Sequence, residues 1–271
     1  YVLKRGCRLC SDSEAISKYL ENLYGAGIGV GVLKRGDDHI LHVAFETISD
    51  KYAPNGEKLC DSVIELMLSI MFESTSFSDE IVEQEKKNAK DRIMAMMNDK
   101  RQYAVERCIE TMFEGENYAI SKLGTQEGID KITADNLKKH YENIITSSVI
   151  DIYICGDADA NALAEKIKKY TGKIAFKNAD IPKTEIYVPK NKVKNVTDKM
   201  DVVQGKLCMG FSTGIKPADS DYPALMVANS IFGGGAHSKL FNNVREKLSL
   251  CYYASGSLDK NKGALFVNAG I

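Results

Sequence analysis

The chain has 271 residues, with 36 basic against 37 acidic side chains and a formal net charge of −1. That length can enclose one or two cores, and the balanced charge gives no electrostatic reason for nucleic acid or an anionic membrane as partner. Seven scattered cysteines fit a reducing cytoplasm rather than a disulfide framework, and no apolar run reaches the roughly eighteen residues of a membrane span.

Cys7 and Cys10 form a C-x-x-C with no second pair and no ligand-spaced histidines, so both read as ordinary thiols. "SDSEAISKYLENLYGAG" places Ile16, Tyr19, Leu20 and Leu23 on one helical face, opens with Ser11 and Glu14 as a capping box, and stops at Gly25 and Gly27. "IGVGVLKRGDDHILHVAFETI" reads as two strands about a Gly-Asp-Asp turn. Helical patterns follow near Glu57 to Phe72, from Ser78 as N-cap towards Asn98, over Tyr103 to Phe113 and over Ala134 to Tyr141. "SSVIDIYICGDAD" predicts a buried-type strand and "ANALAEKIKKYTG" a helix. Ile181 to Lys194 lacks periodicity and is the linker candidate, with a short strand at "TEIYV". "GKLCMGFSTG" is then a strand and "ADSDYPALMVANSIF" a helix.

That helix enters "FGGGAHSKLFNNVREKLSLCYY". Leu240, Phe241, Val244 and Leu248 predict another helix, and Gly233, Gly234 and Gly235 before it permit a sharp turn and close packing. The spacing fits neither a phosphate loop nor a dinucleotide fingerprint. Arg245 lies on the helix and Tyr252, seven residues on, where a strand begins, so both side chains can face one side. Taken locally, the simplest reading is a surface arginine and a core tyrosine.

"SKYLENL" and "SKLFNNV" align at an offset of 221 residues, each followed by strand, polar turn and strand. This long-period similarity predicts duplicated units rather than a solenoid. The chain would then begin partway through unit one and end partway through unit two.

"DYPALMVANSIFGGGAHSKLFNNVREKLSLCYYASGSL" resembles the C-terminal half of insulinase-family (pitrilysin-like, mitochondrial processing peptidase-like) zinc peptidases. "YVLKRG" with "AISKYLENLYGAGIGV" is similar to the region just after that family's H-x-x-E-H helix, and "ITADNLKKHYENIITSSVIDIYICGDAD" to a stretch ending in its Gly-Asp turn. The resemblance implies an α+β fold built from a duplicated unit, each with an antiparallel sheet and helices packed on one side. Residues 1–180 would be most of the first unit, 181–195 the linker and 196–271 the start of the second.

In that family two histidines and a distal glutamate hold zinc. The resemblance places the second histidine position at Tyr1 and the distal ligand at Arg92, seven residues beyond the acidic Glu85. A guanidinium has no lone pair for a cation, and Asp91 beside it is turned by about 100 degrees on a helix. No zinc or other cofactor is therefore expected in this chain. His39 and His42 face opposite sides of a strand, and His140 and His237 stand alone, so all four read as ordinary surface or core histidines.

Arg245 and Tyr252 match the family's arginine–tyrosine pair, which reaches the bound peptide opposite the zinc; Gly233, Gly234 and Gly235 fall in the same substrate-binding segment. The implied function is the non-zinc subunit of a cytoplasmic heterodimeric peptidase whose related partner carries the zinc. The alternatives are a non-catalytic core-type relative, or an active zinc peptidase with H-x-x-E-H upstream of Tyr1.

Overall fold

Asp12, not Ser11, caps the first helix, α1 (Ser13–Asn22): its carboxylate accepts the Ala15 N–H at 2.8 Å, and the Ser11 hydroxyl donates to Asp12. A charged acceptor at a helix start gains from the orphan N–H groups there. The Ala15 N–H, then the Ser11 hydroxyl, hold the Asp12 carboxyl below its usual range.

The computed structural model describes residues 1–177, 183–186 and 193–271. After α1 come β1 (Gly27–Arg35) and β2 (Asp38–Glu46), a two-stranded hairpin turning at Gly36 with φ 57°. The next helices are α2 (Leu59–Phe72), α3 (Asp79–Asn98), α4 (Lys100–Met112), α5 (Gln126–Asp130), α6 (Ala134–Ser147) and α7 (Ala160–Thr171). β3 (Lys206–Ser212), α8 (Tyr222–Gly233), a π-helical turn (Phe241–Lys247), β4 (Tyr253–Asp259) and β5 (Ala264–Gly270) complete the order. Helix followed by hairpin thus occurs twice, as α1-β1-β2 and as the π-helical turn with β4 and β5. This is the order in which the sequence repeat aligns them.

The chain forms two compact units, one of Tyr1–Leu33, Ile40–Lys90 and Gln126–Pro182, the other of Lys34–His39, Asp91–Thr125 and Lys183–Ile271. In the first, α2 is buried on two sides. Val63, Leu66 and Ile70 join Leu3, Ile16 and Leu20, while Ile64 and Leu68 pack on Leu163 of α7. Each such side chain withdrawn from water contributes about 1.5–3 kcal/mol, which is why α2 is apolar nearly all round. α3 starts as expected, with Ser78 Oγ accepting the Ile81 N–H at 3.3 Å.

In the second unit an antiparallel sheet has the order β3-β5-β4, with Gly210 opposite Phe266 and Gly256 opposite Val267. α4 lies on it, closing a core of Phe113, Tyr118, Ala264 and Phe266. Beside that core Lys262 is only 1 % exposed. Its ammonium donates to Glu116 at 2.7 Å and to Asp37 at 3.2 Å, and lies 5.5 Å from the Phe113 ring centroid. A buried ammonium without such partners would be costly.

Two predicted strands are absent among the described residues. Val149 to Asp157 forms no strand, and Tyr153 is 88 % exposed. A strand needs a neighbour to take its N–H and C=O groups, and none of the sheets among the described residues includes this segment. Thr184 to Ile186 is likewise not a strand, and the rest of "TEIYV" lies outside the described residues.

Candidate functional site

The arginine–tyrosine site is built from three pieces of the second unit. α8 begins with Pro223 in its first turn, where the missing N–H costs nothing, and ends at Gly233. A Cβ on Gly233 would stand 2.8 Å from Gly256 Cα in β4 and closer still to Gly256 N. Bare backbone at both positions lets the helix end rest directly on the strand. At Gly234 a Cβ would meet Ser230 Cα at 2.7 Å, whereas at Gly235 it would meet only the His237 ring, at 3.3 Å. None of these three glycines has positive φ; close approach, not a left-handed turn, requires the first two.

The chain then winds into the π-helical turn, started by the fully buried Ser238, whose hydroxyl accepts the Phe241 N–H at 3.3 Å. Sequence periodicity predicts an ordinary α-helix here, but Leu248 N donates to the Asn243 carbonyl, five residues back. Wider turns of this kind concentrate at functional positions. Leu248 consequently leaves the apolar face and is 57 % exposed. The chain reverses at Ser249, φ 52°, and Tyr252 N donates to Gly270 O at 2.9 Å, fixing the start of β4.

This reversal brings Arg245 and Tyr252 together, with the guanidinium carbon 5.7 Å from the Tyr252 ring centroid and 4.5 Å from that of Phe241. The guanidinium rests near ring faces, a contact worth about 0.5–1 kcal/mol at exposed sites. Its planar fork and the phenol, on a residue 72 % exposed, are hydrogen-bond donors suited to backbone carbonyl oxygens. Tyr252 is therefore no core tyrosine. Phe241, four residues before Arg245, supports the cation; that spacing is legible in the sequence but was not among the predicted site residues.

The positions that resemble zinc ligands, Tyr1 and Arg92, and the acidic Glu85 before Arg92 fit no metal. Arg5 Nε donates to Glu85 Oε1 at 2.7 Å, and Glu85 is 8 % exposed, so a fixed guanidinium already neutralises that carboxylate. Their separation of 80 residues hides the pairing from a sequence reading. Tyr1 is 44 % exposed, and Arg92, on α3, offers no lone pair. Among the described residues no three His, Cys, Asp or Glu side chains gather as a metal site, and all four histidines are exposed.

Comparison with known proteins agrees with this donor chemistry. The family description "Peptidase M16 inactive domain" matches residues 131–271. The chain is 36 % identical to a "Probable inactive metalloprotease YmfF" of Bacillus subtilis, over 100 % of its own length and 64 % of that protein's. It also matches an "Uncharacterized zinc protease YmxG" of the same organism, at 27 % identity over 55 % of this chain and 36 % of that one. Among solved structures, a conserved protein from Enterococcus faecalis V583 superposes with a TM-score of 0.89 at 30 % identity, covering 100 % of this chain and 64 % of that one. A peptidase M16 inactive domain from Pseudomonas fluorescens gives 0.76 at 20 % identity, covering 99 % and 62 %. The chain thus spans just under two thirds of the length of the relatives it matches throughout. Family match and donor set fit no zinc in this chain. The chain belongs to the M16 (insulinase-type) peptidase family and is peptidase-like, with the family's inactive-domain type over residues 131–271.

Proposed function

We propose that this protein is the zinc-free subunit of a cytoplasmic heterodimeric peptidase, and that it supplies Arg245 and Tyr252 to the bound peptide. The observation that carries the reading is the approach of these two donors at the start of β4, with Tyr252 largely exposed. A forked cation beside a phenol suits a peptide carbonyl, both in the ground state and as its oxygen becomes negative during attack on the amide. The zinc and its activated water belong to a related partner subunit, and relatives in this family often work in pairs. Gly233, Gly234 and Gly235 belong to the substrate-binding segment, and bare backbone at Gly233 and Gly234 fixes the end of α8. By sequence duplication, residues 1–180 are most of the first unit and 196–271 the start of the second, with 181–195 as the linker.

The experiment is co-purification from the native cell followed by reconstitution. A related chain with a complete H-x-x-E-H motif is expected as companion, and peptide hydrolysis should require both chains. Recovery only as a monomer, or equal hydrolysis by the companion alone, would overturn the reading in favour of a purely structural relative.

A further inference from the structure

Two thiols remote in sequence from the candidate site meet across the helix-to-sheet contact of the second unit. Cys108 on α4 and Cys208 on β3 are free and half-buried, and both pack on the cluster around Phe113 and Phe266. Gly210 sets their distance: a Cβ there would stand 2.6 Å from Met112 Sδ and 3.3 Å from Cys108 Sγ. α4 therefore settles on bare backbone, and the Cys108 sulfur comes down to the level of the strand. Residues two apart on a strand share a face, so the Cys208 side chain rises on the face that Cys108 meets, and both thiols pack in the one cluster.

We propose that Cys108 and Cys208 are a peroxide-responsive dithiol that closes reversibly to a disulfide pinning α4 to β3. The neighbouring Cys208 thiol draws Cys108 below the ordinary thiol range against the opposing effect of burial. The Cys108 sulfur, together with burial, pushes Cys208 up. Cys108 is thus the attacking sulfur and Cys208 the resolving one. The Cys108 thiolate attacks one oxygen of hydrogen peroxide, the O–O bond breaks, and the departing hydroxide takes up the proton Cys108 released. Cys208 sulfur then attacks the resulting sulfenic sulfur, the S–O bond breaks, and the Cys208 proton leaves with that hydroxide as water. Two thiols and one peroxide become one disulfide and two waters.

Cys7 and Cys10 provide the internal comparison. Both are buried, at 2 % and 5 % exposure, and burial, then Cys7, pushes Cys10 up to about 11. They should stay reduced while the other pair reacts.

The test treats the whole chain with hydrogen peroxide, alkylates remaining thiols, digests without reductant and weighs the peptides. The expected product links the Cys108 and Cys208 peptides, two hydrogens lighter than the reduced pair and reversed by dithiothreitol. Closing so long a loop should also raise the melting temperature by roughly 5–15 °C. In Cys208→Ser, a sulfenic acid at Cys108 should be trapped by dimedone. Recovery of both thiols alkylated in the wild-type chain, or oxidation of Cys7 and Cys10 in preference, overturns the proposal without reference to how any variant folds.

Discussion

The Arg245 guanidinium carbon lies 5.7 Å from the centre of the Tyr252 ring, although seven residues and a chain reversal separate them. The contact depends on the left-handed backbone of Ser249 and on the bond from Tyr252 N to Gly270 O, which together turn the chain back along the π-helical turn.

Arg245→Lys keeps the charge but loses the planar fork, and Tyr252→Phe keeps the ring but loses its hydroxyl. In the reconstituted pair each should lower kcat for peptide hydrolysis by about ten- to a thousand-fold, the range for one oxyanion donor. Subunit association should be unchanged, since neither substitution opens a cavity. Full turnover in both variants would reduce the pair to a surface cation resting on an aromatic ring.

Gly233→Ala tests the platform beneath that pair. The new methyl would meet Gly256 backbone, Cα at 2.8 Å, and backbone cannot swing aside as a side chain can. Forced overpacking of this kind costs about 1–3 kcal/mol. Gly235→Ala meets only the His237 ring and should cost less. Urea denaturation of the two variants side by side reads the difference, and equal stability would mean that α8 does not rest on β4 as described.

Lys262→Met removes a buried cation and leaves Asp37 and Glu116 facing each other without it. Breaking a buried pair costs about 3–5 kcal/mol, and these partly exposed carboxylates should place the loss near 2–3 kcal/mol. Adding Glu116→Gln should restore part of it, because one uncompensated charge goes. A loss of stability that Glu116→Gln fails to relieve would assign it to packing instead.

Tyr118 gives a pH signature. Burial first, then its hydrogen bond to the Asp259 carboxylate, push the phenol far above its ordinary range. A raised folded-state pKa contributes stability that is complete below the unfolded tyrosine value of about 10 and is lost as pH rises beyond it. Unfolding free energy should therefore carry a downward slope above about pH 10 that Tyr118→Phe reduces. An unchanged slope in Tyr118→Phe would show that this phenol titrates normally.

The purified chain should hold no stoichiometric zinc by elemental analysis, because Tyr1 and Arg92 stand at the positions that resemble zinc ligands and a guanidinium has no lone pair to give. One tightly bound zinc per chain, lost on mutating any of these residues, would refute the donor reading.

Local chemistry was sufficient for much of the fold. Apolar spacing located α2, α3 and α7 within a few residues, and the Gly-Asp-Asp turn fixed the first hairpin, because side-chain periodicity and turn residues act over one or two turns of chain. The motif from Asp221 to Gly256 likewise specified the family and placed Arg245 and Tyr252 side by side in principle. What no local pattern contained were facts set by distant neighbours. The Val149–Asp157 stretch looks like a strand, yet strandedness depends on a hydrogen-bonding partner elsewhere in the chain. Phe241–Lys247 reads as an α-helix, yet its winding answers to the reversal at Ser249 and the pairing of β4 with β5. Glu85 with Arg5, Lys262 with Asp37, and Cys108 with Cys208 are separated by 80 to 225 residues. The sequence by itself determined which faces are apolar and which family motif the chain carries. Tertiary packing alone decided which charges and thiols meet, because burial and electrostatics act through space and take no account of distance along the chain.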